Sequence, residues 1–184
     1  MNIRRYEEKD KENVRFVCLN SNGPCKMNEK KQHFTLTTYC DYFIEQEPDN
    51  CFVAVDENDR AVGYILCAEN YDNYKNVFRK EYLTRFRKYE FINKATAVIS
   101  TLIQSAHKKE YPAHMHIDIL PEYQRMGLGH KLMDALCANL KEKEIKGVCL
   151  TTWSKNKKGC NFYKKYGFTL LETKAGTAVF ALRF

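Results

Sequence analysis

His114, His116 and Asp118 alternate through "AHMHIDIL", and two imidazoles with a carboxylate are groups that can move protons. Positions two apart on an extended chain share one side, so all three face the same way. A carboxylate in so apolar a run costs free energy to bury unless it is paired or at work. These residue types also bind metal ions, but alternate residues on a flat strand rarely converge on one ion, and no metal is expected. Directly downstream, "PEYQRMGLGHKL" sets Gln124, Arg125, Gly127 and Gly129 where an apolar strand turns into an amphipathic helix. Such a junction leaves the first helical N–H groups without intrahelical partners, and with the helix dipole they make an anion site. Gly127 can take a positive φ, and Gly129 puts no Cβ between backbone and ligand. A phosphate is the natural occupant, although the spacing fits neither a dinucleotide fingerprint nor a Walker loop.

These residues need a strand, a turn and a helix to hold them, and the rest of the chain reads as a mixed α/β domain around that unit. "NIRRY" reads as a short first strand. A helix comes next, with Val14, Val17 and Cys18 at helical spacing, broken by Asn22-Gly23-Pro24. A second helix is expected through "TLTTYCDYFIEQE", stopping before Pro48. "CFVAV" and "AVGYILCAE" are strands joined by the polar loop "DENDR". Tyr71, Tyr74, Phe78, Tyr82, Phe86 and Tyr89 recur in steps of three and four, which puts all six on one helical face. That stripe packs on the sheet or walls a substrate pocket. A further helix near "KATAVISTLIQSAHKK" precedes Pro112. After the strand and helix already described, on which Leu132, Leu136 and Leu140 line up, come the strand "GVCLTTW" and a short helix closed by Gly167. "FTLLET" and "TAVFALRF" form a last hairpin around Ala175-Gly176.

At 184 residues, with 44% hydrophobic and 29% charged, the chain is expected to be one soluble globular domain. No apolar run approaches the about 18 residues of a membrane span, and the N-terminus lacks an apolar signal core. The eight cysteines are scattered without a CxxC pair and read as buried thiols in a reducing, cytoplasmic setting. A net charge of +7 admits nucleic acid, but lysines alternate with glutamates, as in "LKEKEIKG", which describes a solvated helix face. An anionic small molecule suits the same balance.

The run strand–Pro121–x–x–Gln124–x–x–Gly127–x–Gly129–helix resembles the acyl-CoA motif of the GNAT superfamily of N-acetyltransferases. Asn156 followed by "FYKKYGF" resembles that family's second motif, in the expected order. The resemblance spans the chain, residues 1–184. It implies a central mixed, mostly antiparallel sheet of about seven strands, flanked by helices, with the fourth and fifth strands splayed and a helical insert at about 70–110. It also implies acetyl-CoA as co-substrate and no metal. The pantetheine arm would run along Ile117, Ile119 and Leu120, and the pyrophosphate would sit on the N–H groups of Arg125, Met126, Gly127, Leu128, Gly129 and His130, near Gln124. Asn156 matches the residue that contacts the arm, and Tyr163 the tyrosine that protonates the leaving thiolate. Arg125 departs from the pattern, standing where many relatives have glycine. "YPAHMHIDILPEYQ", the insert and the final hairpin also resemble the acetyltransferase-like domain of O-GlcNAc-removing hydrolases and its stand-alone bacterial relatives.

Acetyl transfer to an amine needs a base and a proton for the thiolate. Asp118 matches an acidic residue of the narrower group and is the first candidate for the base, with Glu69 second and His116 third. The reaction expected is direct attack by a primary amine, since no cysteine sits in a nucleophile constellation; Cys149 and Cys160 read as packing residues. The rival is a non-catalytic acyl-CoA-binding or vestigial domain working through protein interaction. The implied partners are acetyl-CoA and a small-molecule or protein amine, with a homodimer left open and neither nucleic acid nor membrane.

Overall fold

Strands β1 (Asn2–Arg5), β2 (Phe52–Val55), β3 (Ala61–Ala68), β4 (Ala113–Ile119), β5 (Gly147–Trp153), β6 (Thr169–Lys174) and β7 (Thr177–Arg183) form one sheet in the order β1-β2-β3-β4-β5-β7-β6. The computed structural model describes residues 1–87 and 90–184, and the side chains of these except 91 and 100–104. Every neighbouring pair is antiparallel except β4 and β5. Those two pair only at Ala113↔Val148 and His114↔Cys149. Beyond that point each strand stays with its other partner: β4 keeps five more pairs with β3, and β5 four more with β7. The middle of the sheet therefore parts, and β4 beyond His114 presents its alternate N–H and C=O groups to a gap. In register, Asp118 and Trp153 would have been partners across it.

Helices α1 (Lys11–Asn20), α2 (Glu29–Leu36), α3 (Tyr42–Gln46), α4 (Tyr71–Val77), α5 (Phe91–Ser105), α6 (Leu128–Glu142) and α7 (Lys157–Tyr166) flank the sheet. Strand periodicity divides the core in two. One face of β4 sends Ala113, Met115, Ile117 and Ile119 into a cluster with Leu132, Met133 and Leu136 of α6 and Phe180 of β7. The other face meets α1, α3, α4 and the turn after α4 through Val14, Val17, Phe43, Tyr74 and Phe78. Among the described residues no helix is long and apolar enough to cross a membrane.

The second helix begins earlier than its apolar pattern indicates. Asn28 caps α2, its side chain accepting from the Lys31 N–H at 3.0 Å, and a π-helical turn, Thr37–Asp41, joins α2 to α3. The first turns, "EKKQ", carry no apolar residue, so periodicity misses them. The aromatic stripe is not one helix either. It runs through α4 and a second π-helical turn, Phe78–Tyr82, then leaves the helix before Phe86. Tyr71, Tyr74, Phe78, Tyr82 and Phe86 are all buried in the core, while Tyr89 lies outside the described residues. The stripe packs on the sheet face that carries His114, His116 and Asp118. Tyr74 stands 4.2 Å from the His114 ring, and Phe86 reaches His116 through Phe34 and Tyr39.

Candidate active site

Past β4 the chain makes a short 3-10 turn, Pro121–Tyr123, and enters α6 through two left-handed residues. Gly127 is the N-cap with φ 80, and Arg125 has φ 65. The left-handed conformation disfavours a side chain, by about 1–2 kcal/mol, so a glycine is the easier residue at 125 and arginine holds the turn under mild strain. The Lys131 N–H is the first to bond back, to the Gly127 carbonyl. Among the described residues the backbone N–H groups of Arg125, Met126, Gly127, Leu128, Gly129 and His130 have no acceptor in the protein. Gln124 supports the loop from behind: its Nε2 donates to the Ile119 carbonyl at 2.9 Å and to the Ser21 carbonyl at 3.1 Å.

Gly129 has a different reason from the one its position suggests. A Cβ there would lie 3.1 Å from the Phe162 ring of α7 and 3.7 Å from Ile119 Cδ1. Its missing side chain lets α6 and α7 approach, and any larger residue would need the Phe162 ring to give by a few tenths of an ångström, whatever the loop binds. Gly127, by contrast, has nothing within 4 Å of its would-be Cβ, and its backbone conformation alone selects glycine.

Asp118 is half-buried near the end of β4, on the face away from α6. Tyr64, its register partner on β3, donates its hydroxyl to Asp118 Oδ2 at 2.6 Å. The Ser21 hydroxyl, just past α1, also bonds to this carboxyl. Burial pushes the Asp118 pKa up to about 6, against the pull of both hydroxyls. At neutral pH the group is mostly ionised yet ready to accept a proton.

Tyr163 comes from the opposite layer. Its ring packs on Phe168 and Phe180 at 5.9 and 5.6 Å, within the α6 cluster. Burial raises its phenol pKa, and the Asp118 carboxylate adds to the rise. Asp118 and Tyr163 thus feel each other's charge from opposite layers of the sheet. Among the described residues the Tyr163 hydroxyl has no hydrogen-bond partner. Asn156 caps α7, its Oδ1 accepting from the Gly159 N–H at 3.1 Å while its amide nitrogen donates to Thr152 Oγ1 at 3.4 Å, which leaves one N–H and one lone pair for other contacts.

The other candidates are elsewhere or engaged. Glu69 lies beyond the paired end of β3, bonded to Lys143 at 2.7 Å and to Asn50 at 3.0 Å, and these partners hold its pKa below the usual carboxylate value. It has neither the place nor the basicity of a base for this gap. His116 lies between Tyr39 and Phe43, at 5.3 and 5.2 Å, and burial lowers its pKa to about 4, so it stays neutral and accepts protons poorly. His114 is deeper still, and among the described residues neither of its ring nitrogens has a hydrogen-bond partner. Among the described residues no group of three His, Cys, Asp or Glu could hold a metal ion. Cys149 is buried and Cys160 half-buried.

Sequence reasoning passed over Tyr64, Ser21 and Trp153. Tyr64 carries one signal, a phenol inside an apolar strand, whose hydroxyl must find a partner. Trp153 is 64% exposed at the open end of β5. Alternation from Val148 and Leu150, which point to the α6 cluster, puts it on the Asp118 side.

A family model described as the Acetyltransferase (GNAT) family matches residues 16–168. Among solved structures, the chain is similar to one described as SsHAT, with 23% identity, a TM-score of 0.87, and coverage of 99% of this chain and 97% of that one. A PaiA N-acetyltransferase from Thermoplasma acidophilum in complex with coenzyme A superposes with a TM-score of 0.62 at 16% identity, covering 100% and 98%. A polyamine N-acetyltransferase of Drosophila melanogaster, which catalyses formation of N-acetylagmatine, does so with a TM-score of 0.65 at 14% identity, covering 100% and 99%. At these identities the likeness speaks for the fold.

Proposed function

The chain belongs to the acetyltransferase (GNAT) family, and from that premise we propose that it is an acetyl-CoA-dependent N-acetyltransferase in which a primary amine attacks the thioester directly. The pyrophosphate of acetyl-CoA lies on the N–H groups of Arg125 to His130, which suit an anion because they lack protein acceptors and end a helix dipole. The pantetheine arm lies along Ile117, Ile119 and Leu120, as an added strand on the unpaired edge of β4. Gln124 holds that loop to the strand, and Asn156 contributes from the head of α7. The amine lone pair attacks the carbonyl carbon, Asp118 takes the amine proton, and the carbon–sulfur bond breaks as Tyr163 gives its proton to the thiolate. The buried phenol keeps its proton at neutral pH until sulfur acquires charge. Positioned acid–base groups of this kind contribute roughly 10²–10⁴-fold each.

The observation that carries the reading is the parting of β4 from β5 after two residue pairs, with Asp118 on one side of the sheet and Tyr163 in the α6 layer on the other. The acceptor approaches from the Asp118 side, where the 70–110 insert builds the wall and Trp153 stands at the mouth. The nearer kinship to stand-alone relatives of the O-GlcNAc hydrolase-associated domain belongs to this reading too, supported by that insert. Calorimetry with acetyl-CoA, followed by an amine panel read by mass spectrometry, tests it. Binding with an acetylated amine is expected. Binding without product across small amines, amino sugars and peptide amines would favour the non-catalytic alternative, and absence of binding would remove both.

A further inference from the structure

We infer that Tyr64 is a positioning residue for the acid–base step, a buried phenol that orients the Asp118 carboxylate toward the gap and favours its ionised form. The inference rests on Asp118 as the base, and it adds a residue from a strand that carries none of the motifs. The geometry is specific. Tyr64 is fully buried, and its register places it directly opposite Asp118 on the neighbouring strand. Its hydroxyl lies 2.6 Å from Oδ2, within the range of a charge-assisted O–H···O⁻ bond. Its own ionisation is out of reach, because burial and the facing carboxylate both raise its pKa well above that of a free phenol. Tyr64 therefore acts only as a donor, and a donor to a carboxylate stabilises the charged form.

The site has few groups that could do the same work. Ser21 bonds to the carboxyl from the loop after α1, and the Gln124 amide fixes the Ser21 carbonyl to the end of β4. Tyr163 faces it from α7, and His116 shares its strand face but is neutral. Cys18 of α1 and Cys40 of the π-helical turn face Tyr64 rather than Asp118, and Cys40, whose pKa is raised well above the usual value, stays a thiol. Among the described residues no lysine or arginine bonds or pairs with the carboxyl, so hydroxyl donors carry the task of keeping it ionised.

The test is the titration of Asp118 itself, followed by carboxyl-carbon NMR on the whole protein labelled with ¹³C-aspartate, the signal being assigned by its loss in Asp118→Asn. Wild type is expected to titrate near pH 6, and Tyr64→Phe about one to two pH units higher, since one hydrogen bond to a charged group has that magnitude. Ser21→Ala, the loss of one hydroxyl in the loop after α1, should move the midpoint in the same direction and serves if Tyr64→Phe does not fold. The acid limb of kcat/KM, measured with an amine found by the panel, should move with the NMR midpoint. Midpoints within about 0.3 units of wild type in both variants would overturn the inference. The NMR titration needs no acceptor, so it is separable from the assignment of the base. If Asp118→Asn retains wild-type activity, or if the acid limb stays fixed while the NMR midpoint moves, Asp118 is not the base and the inference falls with that assignment.

Discussion

Asp118→Asn removes one ionisable group and almost no volume, and the amide oxygen can still accept from Tyr64. Its effect on stability is set by the pKa. The carboxyl rises from 3.8 to about 6 on folding, so between those values the folded state holds more protons than the unfolded one. Stability therefore falls as pH rises from about 4 to about 6 and is level above. A rise of about two units corresponds to about 3 kcal/mol at 1.36 kcal/mol per unit, and partial solvent access reduces it to about 2–3 kcal/mol. Asn carries no charge, so Asp118→Asn should be more stable than wild type by that amount at pH 7–8 and equal to it near pH 3–4. For a domain of this size the gain is roughly 5–10 °C in Tm. The assay is thermal unfolding of both proteins across pH 4 to 8. The same substitution should lower acetyl transfer most at about pH 6 to 8, where Asp118 is ionised and the acceptor amine still protonated, and less below pH 6, where the carboxyl already holds a proton. A gain in stability with a loss of activity marks a group kept for chemistry at the expense of the fold. A lower Tm at every pH, with a loss of activity that pH does not alter, would refute the reasoning and make Asp118 a structural carboxylate.

Tyr163→Phe should lower kcat by roughly 10–10³-fold at all pH values while leaving acetyl-CoA affinity within a few-fold, because one hydroxyl contributes only about 1 kcal/mol to ordinary binding; a parallel loss of affinity by calorimetry would contradict a proton-donor role. Gly129→Val would press on the Phe162 ring, 3.1 Å from the new Cβ, so about 1–3 kcal/mol of stability should be lost together with acetyl-CoA binding. An unchanged Tm would show that α7 yields freely. Arg125→Gly relieves a left-handed arginine but loosens the unfolded chain, for a net gain of about 0–1 kcal/mol, and acetyl-CoA affinity should hold within about 3-fold. A loss beyond about 10-fold would show that the guanidinium itself grips the phosphate.

The turn into α6 is legible because it is local. Pro121 and the glycines mark it, and the amphipathic run of Leu132, Leu136 and Leu140 identifies the helix it opens. The separate reasons for the two glycines are not legible, since Gly129 answers to Phe162 on another helix. The alternation of His114, His116 and Asp118 predicts a shared face, and the structure has it. Periodicity does not say that this face is so apolar that the imidazoles lose their basicity, because the covering residues, Tyr39, Phe43 and Tyr74, come from distant segments. Glu69 looks available because it ends a strand, and only tertiary structure supplies Lys143 and Asn50. Tyr64 is hidden for the same reason: strand pairing sets it opposite Asp118, and register cannot be read from a strand alone.

In the proposed reaction the two proton carriers, Asp118 and Tyr163, come from opposite faces of the sheet, and direct attack by an amine would use both. The amine gives up its proton on the side from which it attacks, while the sulfur must receive one on the side from which it leaves. A continuous sheet would separate Asp118 and Tyr163 by a layer of backbone hydrogen bonds. Here β4 and β5 are held by their outer neighbours and release each other after His114, so a slot passes through the sheet between them. The edge that this exposes on β4 has unpaired amides, which an unliganded sheet would otherwise have to solvate. In the proposed complex an extended amide-bearing arm would satisfy those groups and, by lying in the slot, would bring its thioester between the two side chains. On that proposal the break in pairing would make both the binding edge and the passage through which acid and base reach the same carbonyl.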